Sequence, residues 1–344
     1  MIQLINPITD KRWLDFIENN NKTVIFHHPD WLQVLYKQYK FKVFIICCFN
    51  EKNKIIAGIP FCEIKNFLCK KKWVSLPFSD FCPPLFKDEK ALLEIIDFLK
   101  QKISKKEISS IEIRSFLPDN SFFFQSNMHV IHIKNIENSI NEIFKSFKLT
   151  QVQQPIKQAI RKDLTAEINN NITGIKEFYK LHLKTRKKLG VPIQPKKYFT
   201  HFYNELIQKK IGFTVLVKKD NLVISAGIFI GFGKYFTYKY SASNPEYLKL
   251  RPNNLMLWTG IQEAKKRGFI YFDFGRSSID NKGLRNFKSA WGAKENELIY
   301  NFYPENQENG LLEKLENFII KPLIKKGPPI ICRMLGEIFY KYSV

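Results

Sequence analysis

The six cysteines lack the spacing of a zinc site or of a disulfide framework. None forms a CxxC pair, and no histidine pair at ligand spacing lies near them. They are Cys47, Cys48, Cys62, Cys69, Cys82 and Cys332. Because disulfides persist mainly in oxidising compartments, this pattern is typical of reduced thiols in a cytoplasmic protein. We therefore expect neither a structural disulfide nor a bound metal.

The sequence also lacks apolar segments that would export a chain or anchor it across a membrane. Residues 1–13 contain no charged region followed by an apolar stretch, so no secretory signal is predicted. No apolar run approaches the ~20 residues that span a bilayer. Any membrane contact is therefore expected to be peripheral.

Motifs of several common enzyme classes are missing. There is no GxxxxGKS/T phosphate loop and no GxSxG elbow, and the histidines show no nucleophile partner. Asp273-Phe274-Gly275 matches the DFG tripeptide of protein kinases, but no GxGxxG loop precedes it and no HRD catalytic loop is present. Serine-hydrolase and protein-kinase chemistry are therefore excluded.

Positive charge is abundant in this chain of 344 residues, which is long enough for two domains. Lys and Arg number 55 against 32 acidic residues, a net charge of +23. Such a field attracts polyanions. RNA, anionic lipid head groups and phosphate-bearing small molecules are the candidate partners, although a general excess of solvated lysines would give the same count.

The most informative feature is an internal repeat. A helix, a strand, a charged turn and a second strand follow one another over residues 28–59 and again over 197–228. Ala57-Gly58-Ile59 and Ala226-Gly227-Ile228 occupy the same place in the two hairpins. Later in each half a helix precedes a strand that contains an acidic residue and ends in Arg-Ser. Four matching elements in one order indicate a duplication.

The pattern of each half therefore predicts a mixed sheet with helices on its faces. For the whole chain it predicts an α/β fold of two lobes around a cleft. We predict the first lobe over 1–137, connecting helices over 138–165 that Pro155 separates, and the second lobe over 166–304. A basic amphipathic helical tail is predicted over 305–344.

Candidate binding residues are concentrated between residues 235 and 292. Tyrosines and serines share one predicted strand, where we select Tyr238, Tyr240 and Ser243. Arg251 precedes Pro252 and Asn253, which suit a helix start because Pro needs no N–H there and Asn can cap free donors. An arginine at a helix N-terminus can bind an anion, although a surface arginine beside a cap explains the same residues.

Two further segments combine acidic and basic residues. Asp273-Phe274-Gly275-Arg276 is predicted at a strand end, as a polar site or an ion pair. In 283–292, helical spacing places Leu284, Phe287 and Trp291 on one face, and Lys288 by itself predicts a solvated charge. In the first half, the prolines of 77–84 would present Asp80 rigidly, unless the loop only satisfies its own backbone.

Together these segments resemble the FemAB-like family, in particular its acetyltransferase-domain branch associated with exopolysaccharide and PEP-CTERM systems. The resemblance spans residues 26–302. It rests on the segments Lys187–Pro195, Arg251–Asn253, Asp273–Arg276, Gly283–Gly292 and the loop Pro77–Asp80. It implies two tandem GNAT-like lobes, in agreement with the repeat.

The resemblance also implies an activity. Fem proteins transfer an amino acid from aminoacyl-tRNA to an amine of a peptidoglycan precursor, and the Phe-Lys pair of their transfer site falls on Phe287 and Lys288. A cationic Lys288 would stabilise the developing oxyanion. Asp80 or Asp273 would take the proton of the amine.

Other residues would hold the substrates, and no cofactor beyond the co-substrate is expected. Arginines suit phosphates because they form paired hydrogen bonds to them. The predicted substrate contacts are Tyr238, Tyr240, Ser243, Arg251, Asn253, Arg276, Phe287 and Trp291.

Acyl-CoA is the alternative donor. GNAT enzymes that use acyl-CoA carry an (R/Q)xxGx(G/A) loop, whereas the matching segment 243–253 contains no glycine. Charged tRNA is therefore the favoured donor, and an amine of a peptidoglycan or exopolysaccharide precursor the expected acceptor. A non-catalytic protein that binds RNA or a membrane surface on a GNAT scaffold is the alternative from another class.

The segment 311–344 mixes apolar residues with lysines. A basic amphipathic helix can lie on an anionic membrane, and it can equally pack against the two lobes. We thus predict a cytoplasmic monomer with peripheral contact at the inner face of the cell membrane.

Overall fold

A single mixed sheet runs through the molecule in this computed structural model, which describes residues 1–65, 70–118, 121–305 and 316–342. The strands are β1 (Ile2–Ile5), β2 (Lys42–Phe49), β3 (Ile55–Lys65), β4 (Lys71–Ser75), β5 (Leu85–Phe86), β6 (Ser110–Ile113), β7 (Phe124–Asn135), β8 (Thr165–Asn169), β9 (Gly212–Lys219), β10 (Leu222–Phe232), β11 (Tyr235–Ser243), β12 (Tyr271–Ser278) and β13 (Lys294–Tyr303).

Helices cover both faces of this sheet, so the chain is the predicted α/β protein. They are α1 (Lys11–Glu18), α2 (Pro29–Tyr39), α3 (Glu89–Ser104), α4 (Ile140–Lys145), α5 (Gln154–Arg161), α6 (Ile172–Leu189), α7 (Lys196–Phe202), α8 (Pro252–Lys266), α9 (Lys282–Ala290), α10 (Lys321–Lys326) and α11 (Pro329–Phe339). Short 3₁₀ or π segments flank several of them. The starts of α2 and α8 at a proline agree with the sequence signals, because a first-turn proline needs no N–H.

The strand order repeats between the halves. In the first half β1, β2, β3, β4 and β6 are neighbours, with three antiparallel pairs and then a parallel pair. In the second half β8, β9, β10, β11 and β12 follow the same order and the same directions. The predicted duplication is therefore visible in the hydrogen-bonding pattern of the sheet.

The halves exchange their last strands, which the sequence did not predict. β7 of the first half pairs with β12 of the second, while β13 pairs with β6, and β7 and β13 pair with each other. The halves are thus joined edge to edge in one sheet and do not face each other as separate sheets. The exchange removes two exposed strand edges at the centre of the molecule. The sheet has no break at the predicted boundary after residue 137.

A shared aromatic core holds the halves together. Trp31 on α2 meets Phe202 on α7 edge to face, with ring centroids 6.3 Å apart, and both are fully buried. An aromatic pair of this geometry adds about 0.5–1.5 kcal/mol to the free energy gained from burial alone. The tight packing of the lobes is therefore apolar in origin.

The C-terminal helices pack against the second half, one of the two alternatives left open by the sequence. Gly336 on α11 meets the chain after α6 so closely that an added Cβ would lie 1.8 Å from the Ile193 carbonyl oxygen. Cys332, one turn earlier on α11, is fully buried. The described part of the tail is thus packed against the body of the protein. Residues 306–315, 343 and 344 of the predicted tail lie outside the described ranges.

The structure corrects the prediction for Pro155 and describes five of the six cysteines. Pro155 does not separate the connecting helices: α4 ends at Lys145, and Pro155 is the second residue of α5, where its missing N–H costs no hydrogen bond. The described cysteines, five of the six, are buried free thiols, and Cys69 lies outside the described residues.

Candidate active site

A cavity of about 360 Å³ opens where two parallel strands separate. β11 and β12 pair only from Tyr235 to Thr237 opposite Tyr271 to Asp273, and then diverge. The residues that follow on each strand line the cavity together with residues of α8 and α9 and one residue of the first half. The lining comprises Asp80, Tyr238, Lys239, Tyr240, Ser241, Asn253, Leu257, Phe274, Gly275, Arg276, Leu284, Phe287 and Lys288.

A β-bulge brings a lysine into this cavity. Tyr240 lies opposite Ile228 and Tyr238 opposite Phe229, so Lys239 is an extra residue without a partner on β10. A bulge re-aims side chains, and here four consecutive residues of β11, from 238 to 241, reach the cavity. Sequence reasoning missed Lys239 because strict alternation places it on the opposite face from Tyr238 and Tyr240. A charged residue between two tyrosines in a core strand was the available signal.

A second irregularity forms the opposite wall. Between Asp273 and Arg276, β12 contains one residue more than the facing part of β7, and Gly275 has a left-handed φ of 74°. A Cβ added to Gly275 would lie 3.0 Å from Oδ2 of Asp80. Glycine is therefore required both by the backbone conformation and by the close approach of the first-half carboxylate.

Hydrogen bonds from three side chains hold the Asp80 loop. Lys239 Nζ donates to the Phe78 carbonyl oxygen at 2.6 Å, and Arg114 Nη1 donates to the Ser79 carbonyl oxygen at 2.8 Å. The Tyr300 hydroxyl donates to the carbonyl oxygen of Asp80. Three consecutive carbonyls are thus fixed, although Phe78 has a left-handed φ of 62°. These three hydrogen bonds hold the backbone of the loop that carries Asp80.

Positive charges surround the Asp80 carboxylate. Burial by itself would raise its pKa, but the charges of Lys239, Arg276 and Lys288 outweigh this effect and lower the pKa. The Arg276 guanidinium lies 3.7 Å from the carboxylate. Asp80 is therefore ionised at neutral pH.

Lys288 is buried at the base of the cavity, so the prediction of a solvated charge from its sequence alone is wrong. Its side chain is about 5% exposed, and its Nζ donates to the carbonyl oxygens of Gly275 at 2.7 Å and Arg276 at 2.8 Å. Burial lowers its pKa to about 8 against the opposing influence of Asp80 and Asp273. An ammonium has three N–H donors, and two of them are engaged. The third is available to a ligand in the cavity.

Asp273 lies behind the cavity wall. It accepts hydrogen bonds from the Gly275 amide at 2.7 Å and from the Thr237 hydroxyl at 3.3 Å. Burial is the main cause that raises its pKa to about 6, and the nearby charge of Asp80 acts in the same direction. A carboxyl with a pKa close to neutrality and a lysine with a lowered pKa are typical of a proton-handling site.

Of the residues predicted from the sequence, seven line the cavity and four do not. Asp273 is behind the wall, and the Ser243 hydroxyl donates to the Asn253 side chain, which also accepts from Ser225 at 2.8 Å. Asn253 therefore does not cap α8. Arg251 is exposed outside the cavity lining, with a left-handed φ of 61° just before α8. Trp291 is a fully buried core residue, against which Phe147 packs edge to face.

A larger cavity of about 630 Å³ lies beyond the Asp80 loop. Apolar residues such as Phe81, Pro83 and Phe86 form most of its lining, with Lys22 and Glu89 as its charged members. It lacks a buried pair of acid and base, so the smaller cavity is the candidate active site.

A strand order of three antiparallel pairs and one parallel pair, repeated within one sheet, defines a tandem GNAT-like fold. Solved structures share this fold. The match to FemX covers 91% of this chain and 100% of the FemX chain, with a TM-score of 0.70 and 15% sequence identity. The match to L-PGS from Bacillus licheniformis covers 94% of this chain and 98% of the L-PGS chain, with a TM-score of 0.55 and 11% sequence identity. A tandem GNAT protein from the clavulanic acid biosynthesis pathway covers 90% and 100% with a TM-score of 0.54 and 7% identity.

Sequence comparison agrees with the fold. The FemAB family model matches residues 205–308, which include β11, β12 and α9. The lipid II:glycine glycyltransferase of Staphylococcus saprophyticus is 32% identical over 125 residues, which are 34% of this chain and 29% of that relative. The predicted resemblance is confirmed: residues 205–308 match the FemAB family model, and the chain has the tandem GNAT-like fold that FemX shares.

Proposed function

We propose that this protein is an acyltransferase that moves an aminoacyl group from charged tRNA to an amine of a peptidoglycan precursor. The FemAB family model and the glycyltransferase relative support the transfer of an aminoacyl group. The name of that relative, a lipid II:glycine glycyltransferase, supports a peptidoglycan precursor as the acceptor. Use of charged tRNA would place the chain in the cytoplasm.

The observation that carries this proposal is the position of Lys288 opposite Asp80 in one cavity. The acceptor amine would attack the ester carbonyl of the donor, a C–N bond would form, and the C–O bond to the tRNA ribose would break. The free N–H of Lys288 would donate to the oxyanion of the tetrahedral intermediate. Because an aminoacyl ester is already reactive, holding both substrates in line supplies much of the remaining acceleration.

The proton of the attacking amine needs an acceptor. Asp80 lines the cavity and is ionised, so it is placed to take this proton, which then passes to the departing ribose hydroxyl. Asp273 is the second candidate: its pKa of about 6 is better matched to neutral pH, but it lies behind the wall. Tyr238, Tyr240, Asn253, Arg276 and Phe287 would contact the substrates.

The start of α8 favours tRNA over acyl-CoA. A 3₁₀ turn (Pro245–Leu250) precedes the helix where a CoA enzyme would need a glycine-rich loop with free backbone N–H groups. Pro252 removes one N–H from the first turn, and the Asn253 side chain is already bound to Ser225 and Ser243. This helix start is therefore a poor site for a pyrophosphate group.

A donor and acceptor screen with matched variants tests the proposal. The protein would be incubated with tRNA charged with labelled amino acids, or with labelled acyl-CoA, and with lipid-linked, nucleotide-linked or exopolysaccharide precursors. Lys288→Ala removes the buried ammonium, whereas Lys282→Ala removes the same charge from an exposed position on the same helix.

We expect label from charged tRNA on a peptidoglycan precursor with the wild type and Lys282→Ala. With Lys288→Ala, kcat should fall by roughly 10²–10³-fold, the effect of removing one oxyanion donor. Transfer from acyl-CoA alone would show that the assigned donor is wrong. No transfer from either donor would favour the non-catalytic binding protein.

A further inference from the structure

The outer face of α11 is apolar. Ile330, Met334 and Ile338 recur every four residues, and their side chains are 53%, 57% and 53% exposed. The buried residues of the same helix, Cys332 and Gly336, are displaced from this series by two positions, or about 200° around the helix. The three exposed side chains therefore point away from the body of the protein.

The residues before α11 continue this apolar surface. Phe318 is 79% exposed, and Ile319 and Leu323 are also exposed. Single apolar side chains are common on protein surfaces, but six large exposed ones within residues 318–338 mark an interaction site. We refer to these six residues as the tail apolar surface.

A cluster of lysines includes Lys325, which lies two residues after Leu323 on α10. Lys184, Lys187 and Lys188 on one face of α6 and Lys325 on α10 line a cavity of about 350 Å³. Within the described ranges, none of the four forms an ion pair with a carboxylate. We refer to these residues as the lysine cavity.

Two helix ends explain why the lysine cavity is tolerated. α6 ends at Leu189 and α10 at Lys326, so the negative ends of both helix dipoles lie near it. These dipoles offset part of the repulsion between the four ammonium groups. An anion with several oxygen acceptors, such as a phosphate group, would complete the neutralisation.

We infer that the tail apolar surface and the lysine cavity together form a docking surface for an anionic lipid bilayer. The apolar side chains would enter the boundary between head groups and acyl chains, and the lysines would bind lipid phosphates. From residue 318 to 341 the sequence contains five basic residues and only Glu337 as an acid, so the charge is complementary to anionic lipid.

A bilayer fits this surface better than RNA does. Single-stranded nucleic acid is bound by aromatic side chains that stack on bases, whereas four of the six exposed side chains are aliphatic and one is methionine. No helix within the described residues is long and apolar enough to cross a membrane. The helices would therefore lie along the bilayer surface.

Vesicle sedimentation with the full chain tests this inference without donor or acceptor, so its result is independent of the proposed transfer reaction. The lysine variant combines Lys187→Ala, Lys188→Ala and Lys325→Ala. Its control combines Lys52→Ala, Lys54→Ala and Lys105→Ala, three lysines that are exposed on other parts of the surface. The serine variant combines Ile330→Ser, Met334→Ser and Ile338→Ser. Its control combines Leu149→Ser, Ile160→Ser and Leu222→Ser, three apolar residues with similar exposed fractions.

We expect the wild type to bind vesicles that contain phosphatidylglycerol and not vesicles of phosphatidylcholine alone. The lysine variant should bind roughly 100-fold more weakly, the serine variant at least tenfold more weakly, and both controls within about twofold of the wild type. Equal binding to both vesicle types would overturn the inference. The inference would also be wrong if the serine variant bound vesicles like the wild type while the lysine variant lost binding to homopolymer RNA, which would indicate an RNA site. A wild-type dimer that the serine variant converts to a monomer would instead indicate a second copy of the chain as the partner.

Discussion

Lys239 on β11 donates a hydrogen bond to the Phe78 carbonyl oxygen at 2.6 Å and so joins the second half to the loop that carries Asp80. Its ammonium lies 4.8 Å from the ring centre of Phe26 and 5.4 Å from that of Trp31. One side chain thus fixes the loop backbone and places a positive charge near its carboxylate. Lys239 is a positioning residue for Asp80.

Replacement of Lys239 by Met should lower kcat about 10- to 100-fold with little change in folding. Loss of the donor to the Phe78 carbonyl lowers the free energy of unfolding, whereas removal of a partly desolvated charge raises it, so the two effects on stability oppose each other. With one cation fewer, the pKa of Asp80 should rise, so that the acid limb of the pH–rate profile moves to higher pH. Lys234→Met, in the exposed turn before β11, is the control and should change neither quantity.

The pH dependence of transfer should be bell-shaped. Lys288 must be protonated to donate to the oxyanion, so kcat should fall above its pKa of about 8. An acid limb near pH 6 would identify Asp273 as the proton acceptor, whereas a limb below the ordinary aspartate pKa of 3.8 would identify Asp80, whose pKa the surrounding cations lower. A profile without an alkaline limb near pH 8 would contradict the role of Lys288.

Asp273→Asn should stabilise the folded protein at neutral pH. The rise of its pKa from 3.8 to about 6 means that the ionised carboxylate costs up to roughly 3 kcal/mol in the folded state above pH 6. This cost is absent below the unfolded pKa, so the gain in the variant should shrink as pH falls from about 6 to about 4. Denaturant unfolding at pH 8 and pH 4.5 measures it, and a gain that is equal at both values would disprove the assignment.

Gly336→Ala should detach α11 from the second half. A Cβ at this position would lie 1.8 Å from a backbone oxygen, a clash that only helix movement can relieve. Tyr340, which stacks on Phe78 with ring centroids 5.2 Å apart, would move with the helix and loosen the Asp80 loop. We expect faster proteolysis after residue 320 and a lower kcat.

Gly283→Ala is the control for this variant, because its added Cβ would meet nothing nearer than 3.9 Å. An alanine in place of a glycine within a helix should be neutral or slightly stabilising. Equal protease resistance of Gly336→Ala and Gly283→Ala would show that α11 is not held through Gly336.

The elements of the fold and part of the site were predictable from local patterns. Hydrophobic periodicity, the charged turns and the prolines at helix starts located α2, β2, α8, β12 and the start of β3, although β3 runs six residues beyond its predicted end at Ile59. The Arg-Ser at the end of each matching strand was visible in the repeat. Arg114 and Arg276, its two arginines, both reach the Asp80 loop.

The tertiary structure alone decided how the two halves are joined and which charges are buried. Exchange of β7 and β13 depends on pairing between strands that are more than 130 residues apart, and no local pattern contains such a pairing. The sequence by itself determined the two repeated units and their basic, FemAB-like motifs. The burial of Lys288 and the inward direction of Lys239 follow from strand separation and a β-bulge, because these set the distance between charges and their access to water.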